Sequence, residues 1–225
     1  MKEICKYTGL ILLAVFLLSC ANTHMNRDWD ARIGPQKFYA EPYVVRSTAP
    51  MSVVPSDVPS SPPSAMMYSF QLEQDVDYRE KLGDNLGELF YKNWVGKGVF
   101  PQMVYEGKRE FPGKSRALEF AKKKGVDLVI RGVISNYMFG GSQGTTSLNV
   151  QVDIYRVSDG MLIWSMQHSG RIENTPVEDY ILWKREVRMP ESPEYVIMSA
   201  LAKDLAKPVK RWSYGKDWRK ATEEF

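Results

Sequence analysis

Cysteine and histidine are scarce in this chain, with two of each. Cys5 and Cys20 both lie close to the start, so no pair is left downstream to form a disulfide framework. His24 and His168 are far apart and have no cysteine beside them, which removes the usual basis for a metal site. The unbroken apolar stretch Leu10 to Leu18 is nine residues long, whereas a helix crossing a hydrocarbon core needs about 20. No second long apolar segment follows it. A concentrated basic run is also missing: the formal charge is +3, and no cluster rises above ordinary surface charge, so nucleic acid is not an expected partner. No local pattern joins a nucleophile to a base and an acid, and no glycine-rich loop carries the lysine of a phosphate cradle. The expectation is a protein that is not an enzyme and needs no cofactor.

The N-terminus carries the most specific signal. Met1-Lys2-Glu3-Ile4-Cys5-Lys6 is a short basic opening, Leu10 to Leu18 is the apolar part of a secretory signal, and Ser19 is the small residue a cleavage site wants. The segment Leu17-Leu18-Ser19-Cys20 resembles the bacterial lipobox, in which the cysteine is acylated and becomes the new first residue. That resemblance implies cleavage after residue 19 and a lipid anchor on Cys20. Ala21 follows the cysteine rather than Asp, which by the sorting habit of proteobacterial lipoproteins implies the outer membrane. Removing residues 1–19 takes away Lys2, Glu3 and Lys6 and lowers the formal charge by one unit.

From Ala21 to about Ile33 the chain is polar and without periodicity, as a flexible leader would be. Residues 37–46 are rich in aromatic and β-branched types and read as a strand at or near an edge, because Pro42 cannot donate to a ladder. Ser47 to Ala65 contains Pro50, Pro55, Pro59, Pro62 and Pro63 among serines and reads as an extended or disordered loop. Asp77 to Val95 reads as a helix with Leu82, Leu86, Leu89, Phe90 and Trp94 on one face, a capping box from Asp77 and Glu80, and a stop at Gly96 and Gly98. Residues 99–105 form a short strand. Ser115 to Lys124 follows as a second helix, closed by Gly125, with Leu118 and Ala121 inward.

Residues 126–134 are nearly continuous in apolar character, the mark of a strand covered on both faces. Thr146 to Val157 alternates instead, with Leu148, Val150, Val152 and Ile154 on a dry side and Asn149, Gln151, Asp153 and Tyr155 on a side that is wet or reserved for a partner. Ser158-Asp159-Gly160 is a tight turn, and Met161 to Ile172 is the returning strand of the hairpin. Ser192-Pro193-Glu194 opens a last helix, with Ile197, Leu201 and Leu205 buried and Pro208 as its stop. The expected fold class is α/β (α+β): a single mixed β-sheet with an antiparallel C-terminal meander and helices packed on it.

The succession of Gly98-Val99-Phe100-Pro101, Gly125 through Gly132, and Val150 through Ser165 resembles one superfamily of bacterial envelope proteins. It includes the curli-secretion lipoprotein, the lipoprotein activator of a peptidoglycan synthase, the Pel exopolysaccharide lipoprotein and the N-terminal domain of the Tol translocation protein. The resemblance covers roughly Gln36 to Trp212; the proline-rich insertion at 47–65 and the extension after Pro208 depart from it. It implies an oligomeric, non-catalytic lipoprotein of the outer membrane that faces the periplasm and serves an export system of the exopolysaccharide kind, with itself and other envelope proteins as partners. A second reading is a regulatory module that contacts a cell-wall synthase or another envelope enzyme. The organisation expected is a signal peptide over 1–19, a lipidated Cys20 with its leader over 20–35, the domain over 36–212, and a basic and aromatic tail over 213–225.

Other residues invite functional readings. Gly140-Gly141-Ser142-Gln143-Gly144 has exposed amides suited to anions but lies between two strands, where a hairpin loop is expected. A serine acting with His168 needs a placed acid, which the sequence does not supply. Glu173, Glu178 and Asp179 read as solvated acids. The segment holding Arg211, Trp212, Lys216 and Trp218 interleaves rings with cations. That pattern suits a membrane interface or a subunit interface.

Overall fold

The computed structural model describes residues 44–49, 51–141, 144–173, 178–180, 183–185 and 190–215. All of them belong to one of the two units into which the chain divides, Tyr39–Phe225. Among the described residues, ten short or long strands and three helices follow one another. They are β1 (Val45–Arg46), β2 (Met51–Val53), β3 (Ala65–Tyr68), β4 (Gln71–Leu72), α1 (Arg79–Gly96), β5 (Met103–Glu106), α2 (Lys114–Lys124), β6 (Leu128–Met138), β7 (Thr146–Arg156), β8 (Leu162–Ile172), β9 (Glu178–Tyr180), β10 (Trp183–Arg185) and α3 (Pro193–Tyr214). Eight strands make one mixed sheet in the order β1-β8-β7-β6-β3-β5, with β2 also pairing β8 and β4 also pairing β6; β9 and β10 form a separate two-stranded ladder.

The parallel part is β5, β3 and β6, with Met66 opposite both Val104 and Val129. The antiparallel part is the meander β6-β7-β8. Asp159 Oδ1 accepts from the Met161 amide at 2.9 Å and Gly160 takes φ +70°, which closes the β7–β8 hairpin tightly. The mixed sheet and its meander are as the sequence pattern predicted.

The parallel layer is placed differently. The first strand of this layer is β3, inside a segment for which no strand was expected, while β1 occupies the opposite edge beside β8. All four β3 residues are buried. With both faces covered there is no alternation to reveal the strand, and two methionines give little β-propensity. Residues 37–43 of the expected edge strand lie outside the described residues. Within the proline-rich stretch, β2 pairs with β8 across a register shift.

Helix α1 buries Leu86, Phe90 and Trp94, as their spacing predicts; removing a large apolar side chain from water contributes about 2–3 kcal/mol. The expected capping box does not form, because the helix begins at Arg79 after Tyr78, which has φ 60°, and no side chain caps it. Gly83 and Gly87 are buried on the same face and let α1 approach the β3–β4 connection closely. The Phe70 amide donates to the Gly83 carbonyl at 3.3 Å. Gly125 closes α2 at φ 69° as expected.

Helix α3 starts as predicted, with Ser192 at the cap and Pro193 in the first turn, although the Ser192 side chain makes no cap bond. It does not stop at Pro208 but runs to Tyr214. An interior proline costs about 3 kcal/mol. Burial of Leu205, Ala206 and Val209 around it, and the seating of Trp212, supply enough packing to carry the helix through. Helices α1 and α3 cover one face of the sheet over the main core; α2 covers part of the other face with a smaller cluster of Met66, Tyr68, Ala117, Ala121, Val126 and Val129.

Candidate functional site

Helices α1 and α2 each return the chain from the end of one parallel strand to the start of the next, so they run against β3, β5 and β6. Contacts between α1 and α3 keep the same order along both, from Asn85 with Tyr195 to Trp94 with Ala202 and Lys210 with Lys97. All three helix C-termini therefore gather at one end of the sheet.

A cleft of about 580 Å³ opens there. The proline-rich segment forms one wall with Asp57, Val58, Pro59 and Pro63; the end of α2, the starts of β6 and β8, and the β7–β8 turn form the rest, and Trp212 reaches in from α3. Two ties hold that wall. Trp212 Nε1 donates to the Asp57 carbonyl at 2.7 Å, while its ring meets Trp164 edge-on at 6.2 Å. Asp127 Oδ2 accepts from the Ser64 amide and hydroxyl, both at 2.8 Å. Arg156 at the rim is paired with Asp159 at 3.1 Å.

Of the residues singled out in the sequence, Trp212 lines this cleft and is partly buried, and Arg211 stands exposed beside it on the last turn of α3. Cys20, Lys216 and Trp218 lie outside the described residues. The Gly140–Gly144 segment connects β6 to β7, as a hairpin loop should, with residues 142–143 outside the described set. Glu173 is exposed and pairs with Arg171 at 3.0 Å. Glu178 and Asp179 fall in β9, and their side chains are not among those described. On the polar side of β7, Asp153 is buried rather than wet. It accepts from Ser165 Oγ at 2.8 Å and faces Arg131 at 3.8 Å.

A second cluster was only partly legible in the sequence. His168 is 2% exposed, with Nδ1 3.3 Å from Ser47 Oγ and Nε2 3.2 Å from Asp204 Oδ2. Asp204 also holds Arg46 at 3.2 Å and Lys207 at 3.4 Å. The acid that a serine–histidine pair needs is thus present, supplied by α3. The group nevertheless works as a clamp: Ser47 Oγ accepts the Ser169 amide, the Ser47 amide donates back to the Ser169 carbonyl, and Asp204 is shared among three partners. It fastens edge strand β1 to α3. The available signal was His168 itself, which falls on the dry side of β8 with Trp164, Met166 and Gly170 and so needs buried partners.

Burial pushes the Asp204 carboxyl up, but His168, Arg46 and Lys207 outweigh it and hold the group below its ordinary value. A depressed carboxylate stabilises the fold above its unfolded pKa, and that contribution is lost as pH falls through the folded value. Asp204→Asn is expected to lower stability by about 1 kcal/mol at neutral pH. In denaturant titrations across pH the gap to the wild type should narrow as pH falls through the lowered folded value of Asp204, below which both side chains are neutral. An undiminished gap there would refute the electrostatic account of the clamp.

Among the described residues, no group of His, Cys, Asp and Glu is placed to hold a metal ion, and no helix is long and apolar enough to cross a membrane.

No family model matches the chain, and no curated protein does. Solved structures do. The PelC dodecamer from Paraburkholderia phytofirmans is similar with a TM-score of 0.51 at 14% identity, over 74% of this chain and 98% of that one. Hypothetical protein CT253 from Chlamydia trachomatis reaches 0.45 at 10% identity, over 68% and 98%. Lipoprotein GNA1162 from Neisseria meningitidis reaches 0.35 at 13%, over 65% and 98%. With PelC this chain shares a fold.

Proposed function

We propose that this protein is a non-enzymatic lipoprotein of the bacterial envelope, anchored through Cys20 to the periplasmic face of the outer membrane, and that copies of it assemble into a homo-oligomer serving an export system for an exopolysaccharide-like polymer. The observation that carries the reading is the fold shared with PelC over nearly the whole of that chain, in a protein that forms a dodecamer. The lipobox-like Leu17-Leu18-Ser19-Cys20 supports the anchor. The histidine cluster supports the non-enzymatic part, since its serine and carboxylate are engaged in fastening a strand.

The test is native mass spectrometry and light scattering on the chain from position 20 onward carrying Cys20→Ser, at rising concentration and with detergent micelles. A closed multimer of defined stoichiometry is expected. A strict monomer under every condition overturns the oligomer, and a monomer that binds one envelope enzyme stoichiometrically replaces it with the regulatory-module reading.

A further inference from the structure

The end of the sheet where the helices terminate is also where cations collect. Lys97 follows α1, Lys122, Lys123 and Lys124 make the last turn of α2, and Lys210 and Arg211 lie in the last turns of α3. Cations at helix C-termini complement the helix dipole, which accounts for one or two per helix. It does not account for two further features of this end. Lys210 and Lys97 are brought together although their charges repel: the Lys210 ammonium donates to the Lys97 carbonyl at 2.7 Å, and burial followed by the Lys97 charge holds it below the ordinary lysine value. Apolar side chains also stand exposed at this end, with Val58 60%, Val95 47% and Met161 59% accessible; Tyr78, Met138 and Phe139 are exposed at the other end, where the cations do not gather. The basic end also holds acids: Lys123 pairs with Glu119 and Lys124 with Glu106, Arg156 pairs with Asp159, and Asp57 and Asp127 line the cleft. The opposite end is mixed, with Glu73, Asp75, Asp77, Glu80, Glu191 and Glu194 beside Arg79, Lys81, Lys108 and Arg109.

We infer that this basic end is a membrane-docking surface that lies against anionic phospholipid. Lysine and arginine supply the attraction to headgroup phosphates, and Val58, Val95 and Met161 enter the interface beside them. A soluble polyanion would match the charge but leave those apolar side chains in water. The anchor can reach: the residues from Cys20 to Val44 span up to about 80 Å when extended. Strand β1 enters beside the C-terminal end of β8, and β8, 11 residues long, covers only about 36 Å. The stretch from Cys20 is therefore long enough for the basic end to rest on the bilayer. The end where α1 and α3 begin then faces away from the membrane.

The inference adds an orientation to the lipid-anchored reading and is tested without the lipid. The chain from position 20 onward carrying Cys20→Ser is mixed with phosphatidylglycerol-rich vesicles, with pure phosphatidylcholine vesicles, and with soluble polyglutamate. Expected is sedimentation with the anionic vesicles, weakened by salt, and none with phosphatidylcholine. Adding Lys122→Gln, Lys123→Gln and Arg211→Gln should weaken it at least about tenfold, since each basic residue near an anionic surface contributes on the order of 1 kcal/mol. Arg79→Gln with Lys81→Gln, at the other end, should leave it unchanged, and thermal melts confirm that both variants remain folded. Failure to bind anionic vesicles, equal loss in the two variants, or binding to polyglutamate alone overturns the docking surface. None of these results bears on acylation of Cys20 or on oligomer formation, which are measured separately.

Discussion

Cys20→Ser is expected to abolish acylation and release the protein from membranes. Position 20 holds the cysteine at the predicted cleavage point, and Cys5 lies within the segment to be removed. Each buried methylene contributes roughly 0.8 kcal/mol, so one acyl chain binds marginally and two or more hold firmly. Losing that contribution leaves only weak surface attraction, which salt screens. The domain should keep its sheet, because every described residue begins at Val44 or later. Labelling cells with a radioactive fatty acid, followed by fractionation with a salt wash, gives the readout: label and membrane retention in the wild type, neither in Cys20→Ser. Equal label in both proteins, or wild-type protein found wholly in the soluble fraction, would disprove the anchor.

Gly83→Ala is expected to be the most damaging of the small substitutions. A Cβ at position 83 would sit 2.2 Å from the Phe70 carbonyl oxygen, an atom of the backbone that cannot rotate away. Phe70 is itself fixed, with its ring over Gly132, where an added Cβ would lie 2.1 Å from it. Helix α1 must therefore lift off the sheet and loosen Phe90 and Trp94 beneath it. Overpacking of this kind costs about 3 kcal/mol, offset by about 1 kcal/mol of helix propensity gained over glycine. The net loss of about 2 kcal/mol corresponds to a fall of about 4–8 °C in Tm for a domain of this size. Gly96→Ala is the matched control: nothing lies within 4 Å of its Cβ position, so it gains propensity without a clash. Calorimetry should find Gly83→Ala well below the wild type and Gly96→Ala at or above it. Equal melting temperatures would mean that α1 is not held as closely as its glycines indicate.

Periodic elements were legible in the sequence because one periodicity matched one buried face. Leu86, Phe90 and Trp94 marked α1, Leu148 through Ile154 marked β7, and Asp159-Gly160 marked the hairpin. Strand β3 was not legible, since a short strand buried on both faces leaves no alternation and its methionines favour no structure strongly. Pro208 misled for the opposite reason, because local propensity yields wherever packing around a residue outweighs it.

The functional residues divide along the same line. A signal peptide and lipobox are recognised as an extended chain before folding, so residue type and spacing suffice to propose Cys20 as the lipidated residue. Trp212 could be named as unusual, but its place against Asp57 and Trp164 depends on contacts between distant parts of the chain. Asp204 could not be named at all: it looks like a helix surface charge until β8 brings His168 and β1 brings Arg46 to it. The sequence by itself determined the mixed-sheet class and points to the proposed address, because both rest on local pattern. Tertiary structure alone decided that three helices end together, because the direction of each helix depends on the strands it connects. The cleft and the basic end exist only through that convergence.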